Sequence, residues 1–272
     1  MPASGPFSAI SQYSNSIYRI LMVNVSCVVN AHKEGNLIYA TLQTVKRTCE
    51  YALECGLTIE LHVVLDSPDT CTANIVQREV SDIATIHNVE YGELAQSRNY
   101  AARKCAGEYI TFIDGDDLWC QSWVVDCFLA AKKLPRKSIL HPEFNLYFGT
   151  RANHVFQHVD MDSPQFDFNL LTKINFWTAL SFAHKKTYTD YPYVMNDIDN
   201  GFGFEDWAWN YRTAKNGFKH KVVPGTAHYI RRGKPGVSLL EKSTRMNAIP
   251  RIMDLYENSK DESNFIQHAV FK

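Results

Sequence analysis

Residues 93–117, ELAQSRNYAARKCAGEYITFIDGDD, decide the fold. Leu94–Cys105 reads as a helix and Gly107 stops it. Tyr109–Ile113 is a short apolar run of the kind that forms a buried strand, and it ends in Asp114-Gly115-Asp116-Asp117. A helix feeding a buried strand whose C-terminal end carries an acidic turn is one repeat of a parallel α/β sheet.

Working upstream, the same alternation recurs. Val23–Asn30 (VNVSCVVN) is a β-branched run suited to a buried strand. Leu37–Cys55 carries apolar residues at helical spacing, with Asn36 as its cap and Gly56 as its end. Ile59–Leu65 is the next strand, closed by Asp66-Ser67-Pro68-Asp69. Asn74–Ile83 reads as a helix and Thr85–Val89 as a strand. This β-α-β-α-β-α-β series predicts an α/β fold with a Rossmann-like, mostly parallel sheet flanked by helices, taking ligands at the strand C-termini. Downstream, Leu118–Ala131 reads as a helix that Asp117 caps. Beyond Pro135 the segments are mixed, including Ser138–Phe148 and Phe176–Ala183, and a last helix is expected around Thr244–Tyr256, interrupted at Pro250. Residues 1–22 read as a flexible leader.

Composition narrows the classes. The 272 residues are 45% hydrophobic and 21% charged, ordinary for a chain that buries a core. Net charge is −1 with 28 Lys+Arg against 29 Asp+Glu, so the basic footprint of a nucleic-acid binder is missing. Seven cysteines without a CxxC pair argue against a disulfide framework or a structural zinc site and for a reducing compartment. The most apolar stretch, Ile17 to Ala31, is broken by Arg19, Asn24 and Asn30 and is too polar to span a bilayer. The chain therefore reads as cytoplasmic.

Three constellations carry chemistry. Asp114, Asp116 and Asp117 repel one another unless a cation or donors sit among them. Strand alternation points Asp114 and Asp116 the same way, toward one hard cation, and Gly115 allows close approach to the backbone. The bland alternative is a solvated acidic turn. The second constellation is Gly201-Phe-Gly-Phe-Glu205-Asp206-Trp207, in which Glu205 and Asp206 open a helix. They serve either as N-terminal capping charge or as a carboxylate base at a site entrance. The third is His228 followed by Arg231, Arg232 and Lys234, a metal ligand with cations for a diphosphate, or a surface basic loop. Together they supply the parts of a nucleotide-diphosphate-dependent transferase.

With these residues in place, the chain resembles the family 2 glycosyltransferases, inverting enzymes of the GT-A fold, over roughly residues 23–230. The matching stretches are VSCVVNAHKEGN (25–36), VVLDSPD (63–69), residues 93–117 and GFGFEDWAWNYRTAKNGFKHKVVPGTAHY (201–229). The resemblance implies that Ala31, His32 and Glu34 border the nucleotide, that Asp66 hydrogen-bonds the base, and that Arg98 lies near base and phosphates. It implies a ribose or metal-water contact for Asp114 and direct metal ligation by Asp116; Asp117 stands in the same motif, so which pair binds the metal stays open, and His228 resembles the downstream histidine that completes the metal shell in some enzymes of this fold. Asp206 matches the catalytic base, with Glu205 beside it. Two departures stand out: Asn30-Ala-His-Lys replaces the usual proline and Tyr-Asn of the first loop, and Gln96-Ser97 precedes Arg98 where alanine is commoner.

The implied protein is a single compact domain: a leader (1–22), a nucleotide-sugar-binding half (23–134), an acceptor-binding and catalytic half (135–237) and a C-terminal helical segment (238–272). Its expected activity is inverting transfer from a UDP-linked or other nucleotide sugar, with Mn²⁺ or Mg²⁺, to a saccharide or glycoconjugate hydroxyl in polysaccharide biosynthesis. Trp177, Phe204 and Trp207 are expected to stack on acceptor sugar rings, core packing being the alternative for each. The lack of a multi-pass membrane segment argues against the processive synthases and leaves peripheral association with the inner membrane face open. The rival readings are a metal-dependent nucleotidyltransferase and a non-catalytic nucleotide- or carbohydrate-binding module.

Overall fold

A computed structural model describes residues 22–150, 153–233 and 238–252. The expected leader through residue 21, Lys234 and the C-terminal segment from 253 onward lie outside the described residues. The first half alternates as the sequence predicts: β1 (Val25–Ala31), α1 (Leu37–Glu54), β2 (Ile59–Asp66), α2 (Thr70–Val80), β3 (Ala84–Val89), α3 (Leu94–Lys104) and β4 (Tyr109–Asp114). Helix α2 begins four residues before the expected Asn74, because the Asp69 side chain accepts the Thr72 N–H at 2.7 Å and caps it there.

A larger difference lies just past Asp117. Leu118–Trp119 is not helical but forms a short strand, β5, and helix α4 begins only at Trp123, running to Ala131. The remaining strands and α-helices are β6 (Ser138–Gly149), β7 (His154–Gln157), β8 (Phe182–His184), α5 (Lys185–Asp190), β9 (Phe202–Gly203), α6 (Glu205–Lys215), β10 (Lys219–Arg232), α7 (Leu239–Arg245) and β11 (Ile249–Pro250). Among the described residues the expected helix near 244 is thus the end of α7, followed by strand β11.

The main sheet has the order β3-β2-β1-β4-β8-β6-β10-β5, with β7 paired to β6. Pairings β3–β2, β2–β1, β1–β4 and β6–β10 are parallel, and β8 is antiparallel to both of its neighbours. Strand β1 shows why its sequence is apolar throughout. Val25, Cys27, Val29 and Ala31 pack on one face with α1, α2 and α4, while Val28 packs on the other with α3 residues Ala95, Ala101 and Ala102. Both faces are covered, as a parallel sheet requires. A third cluster, with Leu171, Phe176, Trp177 and Tyr211, fills the space beneath α6. No helix among the described residues is long and apolar enough to cross a membrane.

Candidate active site

The C-terminal ends of β1, β2 and β4 place three loops side by side. Gly115 sits where they meet: a Cβ there would lie 2.9 Å from Ile38 Cδ1 and 3.1 Å from both Asn30 O and Glu34 Cδ. The close approach that Gly115 allows is therefore made first by the chain's own β1–α1 loop. Thr41 Oγ1 donates to Gly115 O at 3.0 Å and ties the acidic turn to α1.

The short strand β5 completes the turn. It pairs with β10 so that Trp119 faces His228, which turns β10 back onto Asp117. His228 Nε2 lies 3.2 Å from Asp117 Oδ2, and the Arg231 N–H donates to Asp117 Oδ1 at 2.9 Å. Arg231 Nε donates to Asp116 O at 3.1 Å. Arg231 and Arg232 stack over Phe148 and Tyr147, which holds both guanidinium groups along the rim.

Both ring nitrogens of the buried His228 lack a hydrogen-bond partner. An orphaned imidazole beside a buried carboxylate is a donor set that fits a divalent cation. The sequence-predicted quartet does not close into one coordination sphere, however. Asp114, Asp116, Asp117 and His228 contain no three donor atoms within 4.8 Å of one another, and Asp117 with His228 is the pair in contact.

Arg98, which the resemblance places near base and phosphates, is the hub of the site. It is 1% exposed, and its two terminal nitrogens donate at 2.9 Å to Asp114 Oδ1 and to Glu205 Oε1. Burial opposes its charge, but the Asp114 and Glu205 carboxylates outweigh burial and raise its pKa further. Arg98 thus joins the end of β4 to the start of α6, 91 residues further along the chain. Asn196 extends the network, donating to Glu205 Oε2 at 2.9 Å and to Glu93 Oε1 at 3.0 Å. A small cavity lined by Arg98, Asp114, Leu180 and His228 lies between the two sides.

Asp206 stands beside this hub at the first turn of α6. Burial and the neighbouring Glu205 charge push its carboxyl up to about 7, against the pull of Arg98 and of the Trp207 N–H. Asn175 Nδ2 reaches Asp206 Oδ2 at 3.3 Å, and Asn210 Nδ2 in turn holds Asn175 Oδ1 at 3.1 Å. The preceding residue, Phe204, adopts φ +57, a left-handed conformation that costs a bulky residue roughly 1 kcal/mol or more. It is held there by the β9–β11 pairing, by Asp197 bridging to Phe202, and by Arg251 bonding Asp197 at 3.2 Å.

The other predicted residues fall in different places. Ala31 is buried in β1, and Glu34 reaches back to accept the His32 N–H at 2.7 Å. His32 Nδ1 contacts Asp66 O. Asp66 is 6% exposed and spends its oxygens inside the protein, accepting from the Tyr91, Gly92 and Glu93 N–H groups and from Ser97 Oγ. Burial raises its pKa, but those donors outweigh burial and lower it. It anchors the β3–α3 loop, with Ser97 among its donors. Trp177 corrects an expectation outright. It is 0% exposed, donates Nε1 to Val159 O at 2.7 Å and stacks between buried rings, so it cannot meet a sugar. Trp207 is half-buried with Nε1 bonded to Leu171 O, and Phe204, also half-buried, meets it edge-on.

Three asparagines belong to the site without a sequence signal. Asn175 and Asn196 hold the two carboxylates of α6. Asn30, the strand partner of Asp114, is 5% exposed with neither amide atom bonded. Only its position at a strand end pointed to it.

A mostly parallel α/β sheet with this crevice at its strand ends is the GT-A class. The sequence matches the model of glycosyl transferase family 2 over residues 26–165, just over half of its length, and the chain belongs to that family. The fold is similar to S. aureus TarS 1–349 in complex with UDP-GlcNAc (TM-score 0.61, 14% identity, covering 79% of this chain and 60% of that one). It is also similar to the mannosyltransferase PcManGT from Pyrobaculum calidifontis in complex with GDP-Man and Mn²⁺ (0.54, 18%, 78% and 58%). GalNAc-T7 with UDP, GalNAc and Mn²⁺ is a third (0.57, 16%, 83% and 47%). The chain spans about 60% of the length of the first of these. No curated protein sequence matches it.

Proposed function

We propose that the protein is an inverting glycosyltransferase that moves a sugar from a nucleotide-diphosphate donor to an acceptor hydroxyl, with Asp206 as the base. The observation that carries this reading is the Arg98 bridge, 2.9 Å from both Asp114 and Glu205, which holds the donor-side strand end and the base-bearing helix in one crevice. A carboxyl pushed up to about 7 is matched to taking a proton from a hydroxyl near neutral pH. Asn175 fixes the orientation of that carboxyl, leaving the acceptor to approach from the side of Phe204 and Trp207.

The donor half is residues 23–134 and the acceptor half comes after it. Ala31, His32, Glu34 and the unpaired Asn30 amide are the groups assigned to the nucleotide. Arg231 and Arg232, held along the rim by their aromatic partners, offer charge to the departing diphosphate. Asp116, Asp117 and His228 would hold a Mn²⁺ or Mg²⁺ ion, with Asp114 beside it. Such an ion would neutralise charge developing on the leaving group. The family and the ligands bound to the similar structures, UDP-GlcNAc, GDP-Man and Mn²⁺, support this donor class, with a UDP-sugar as the first choice.

Incubation with a panel of nucleotide sugars and Mn²⁺ tests the reading. Slow release of nucleoside diphosphate from one donor is expected. Release from nucleoside triphosphates instead would favour a nucleotidyltransferase, and binding without any release would favour a non-catalytic module.

A further inference from the structure

A second set of donor atoms lies at the opposite end of the sheet. Glu60 and His62, at the start of β2, alternate onto the face covered by α3, while the crevice lies beyond the end of that strand at Asp66. Helix α3 ends at Lys104, and Cys105, its cap residue, returns to the start of β2. One oxygen of Glu60, one ring nitrogen of His62 and the Cys105 sulfur all lie within 4.8 Å of one another. Among the described residues no other trio of His, Cys, Asp or Glu does so.

We propose that Glu60, His62 and Cys105 form a zinc site, separate from the candidate active site. Glu60 Oε1 and His62 Nε2 are 3.2 Å apart, close to the roughly 3.3 Å that separates two ligands about 2.05 Å from a tetrahedral ion. The His62 side chain is 6% exposed, and its Nε2 has no hydrogen-bond partner. Its other nitrogen, Nδ1, lies 2.9 Å from His87 Nε2. When His62 Nδ1–H donates to His87, the Nε2 lone pair is aimed at the other two ligands, the usual arrangement behind a metal-bound histidine.

The carboxylate is held in place. Ser26 Oγ and the N–H groups of Ala106 and Gly107 donate to Glu60 Oε1. Cys105 is buried, and a buried thiol with no ion beside it is S–H. Binding therefore breaks the S–H bond, forms a sulfur–metal bond and releases one proton to solvent. Lys185, whose Nζ bonds Cys105 O at 2.5 Å, faces the anionic set from α5. A mixed sulfur, nitrogen and oxygen set selects zinc over Mn²⁺ or Mg²⁺, which prefer oxygen. The ion would tie β2 to the end of the helix that carries Arg98.

The test is a Co²⁺ titration of the chelator-treated full chain, monitored by thiolate-to-cobalt charge-transfer absorption. The wild type and Asp116→Asn are expected to bind one Co²⁺ with that band, release one proton, and lose the band on adding Zn²⁺. Cys105→Ser should lose the band. Glu60→Gln, a milder change, should weaken Co²⁺ binding at least tenfold and keeps the test decisive if the serine variant fails to fold. Absence of the band at stoichiometric cobalt, its persistence in Cys105→Ser, or wild-type affinity in Glu60→Gln would overturn the proposal. None of these readouts depends on glycosyl transfer.

Discussion

Replacing Arg98 with Gln removes the one cation between two carboxylates. Each terminal nitrogen is 2.9 Å from an acid oxygen, which places the charge centres about 4 Å apart. At an effective dielectric near 20 that is roughly 4 kcal/mol of attraction per pair before desolvation is counted. The two halves are unequal. Asp114 keeps 31% of its side chain in water and is screened, whereas Glu205 keeps 6% and loses its compensation almost completely. Removing one partner of a buried pair costs about 3–5 kcal/mol, a large share of the roughly 5–15 kcal/mol that holds a domain folded. There is a second effect, because Arg98 pulls the Asp206 pKa down and its loss lets that value climb above about 7. Urea unfolding at pH 7.5 should show a loss of at least 3 kcal/mol in Arg98→Gln. The double variant Arg98→Gln/Glu205→Gln should recover more than 1 kcal/mol of it. The acid limb of the pH–rate profile should move to higher pH. A loss below 1 kcal/mol with an unmoved acid limb would refute the bridge as the link between the two halves of the site.

Acid should unfold the protein early. Burial carries His158 down to about 4 and His220 to about 3 and lowers His141 as well, so the folded state resists protonation that the unfolded chain accepts below about pH 6.5. Stability is therefore fully present above pH 6.5 and falls with pH below it, by about 2 kcal/mol at pH 5 for each of His158 and His220. Equal urea midpoints at pH 7.5 and pH 5 would contradict this. Gly107→Ala should destabilise by about 1–3 kcal/mol, because a Cβ would sit 2.5 Å from Ser26 Oγ and 2.6 Å from Ser26 N. A melting temperature unchanged from wild type would show that the backbone gives way at no cost. Asn175→Ala, which removes a donor to Asp206, should lower kcat at pH 6.5 more than at pH 8.5; an equal loss at both would assign Asn175 a purely structural role.

The α/β alternation through residue 114 was legible because each strand is buried on both faces and each helix carries one apolar stripe. The acidic turn was equally legible, since its residues are adjacent in sequence. The segment just past Asp117 was not. Leu118-Trp119 has helix-compatible residues, and its strand form is imposed by β10, a partner more than a hundred residues away. Trp177 illustrates a different limit: an aromatic side chain reads the same in a core as on a sugar platform, and only packing against His141 and His220 decides. Asn175 and Asn196 belong to the site through tertiary contacts that no local pattern announces. Asp66 was legible as a strand-end carboxylate, but the loop donors it accepts from, Tyr91, Gly92, Glu93 and Ser97, were not.

In the proposed reaction Asp206 takes the proton from the acceptor. With the donor found by the nucleotide-sugar panel and a saccharide acceptor, Asp206→Asn should lower kcat by about 10²–10⁴-fold while donor affinity stays within twofold of wild type. Transfer by Asp206→Asn at a rate near wild type would contradict that role.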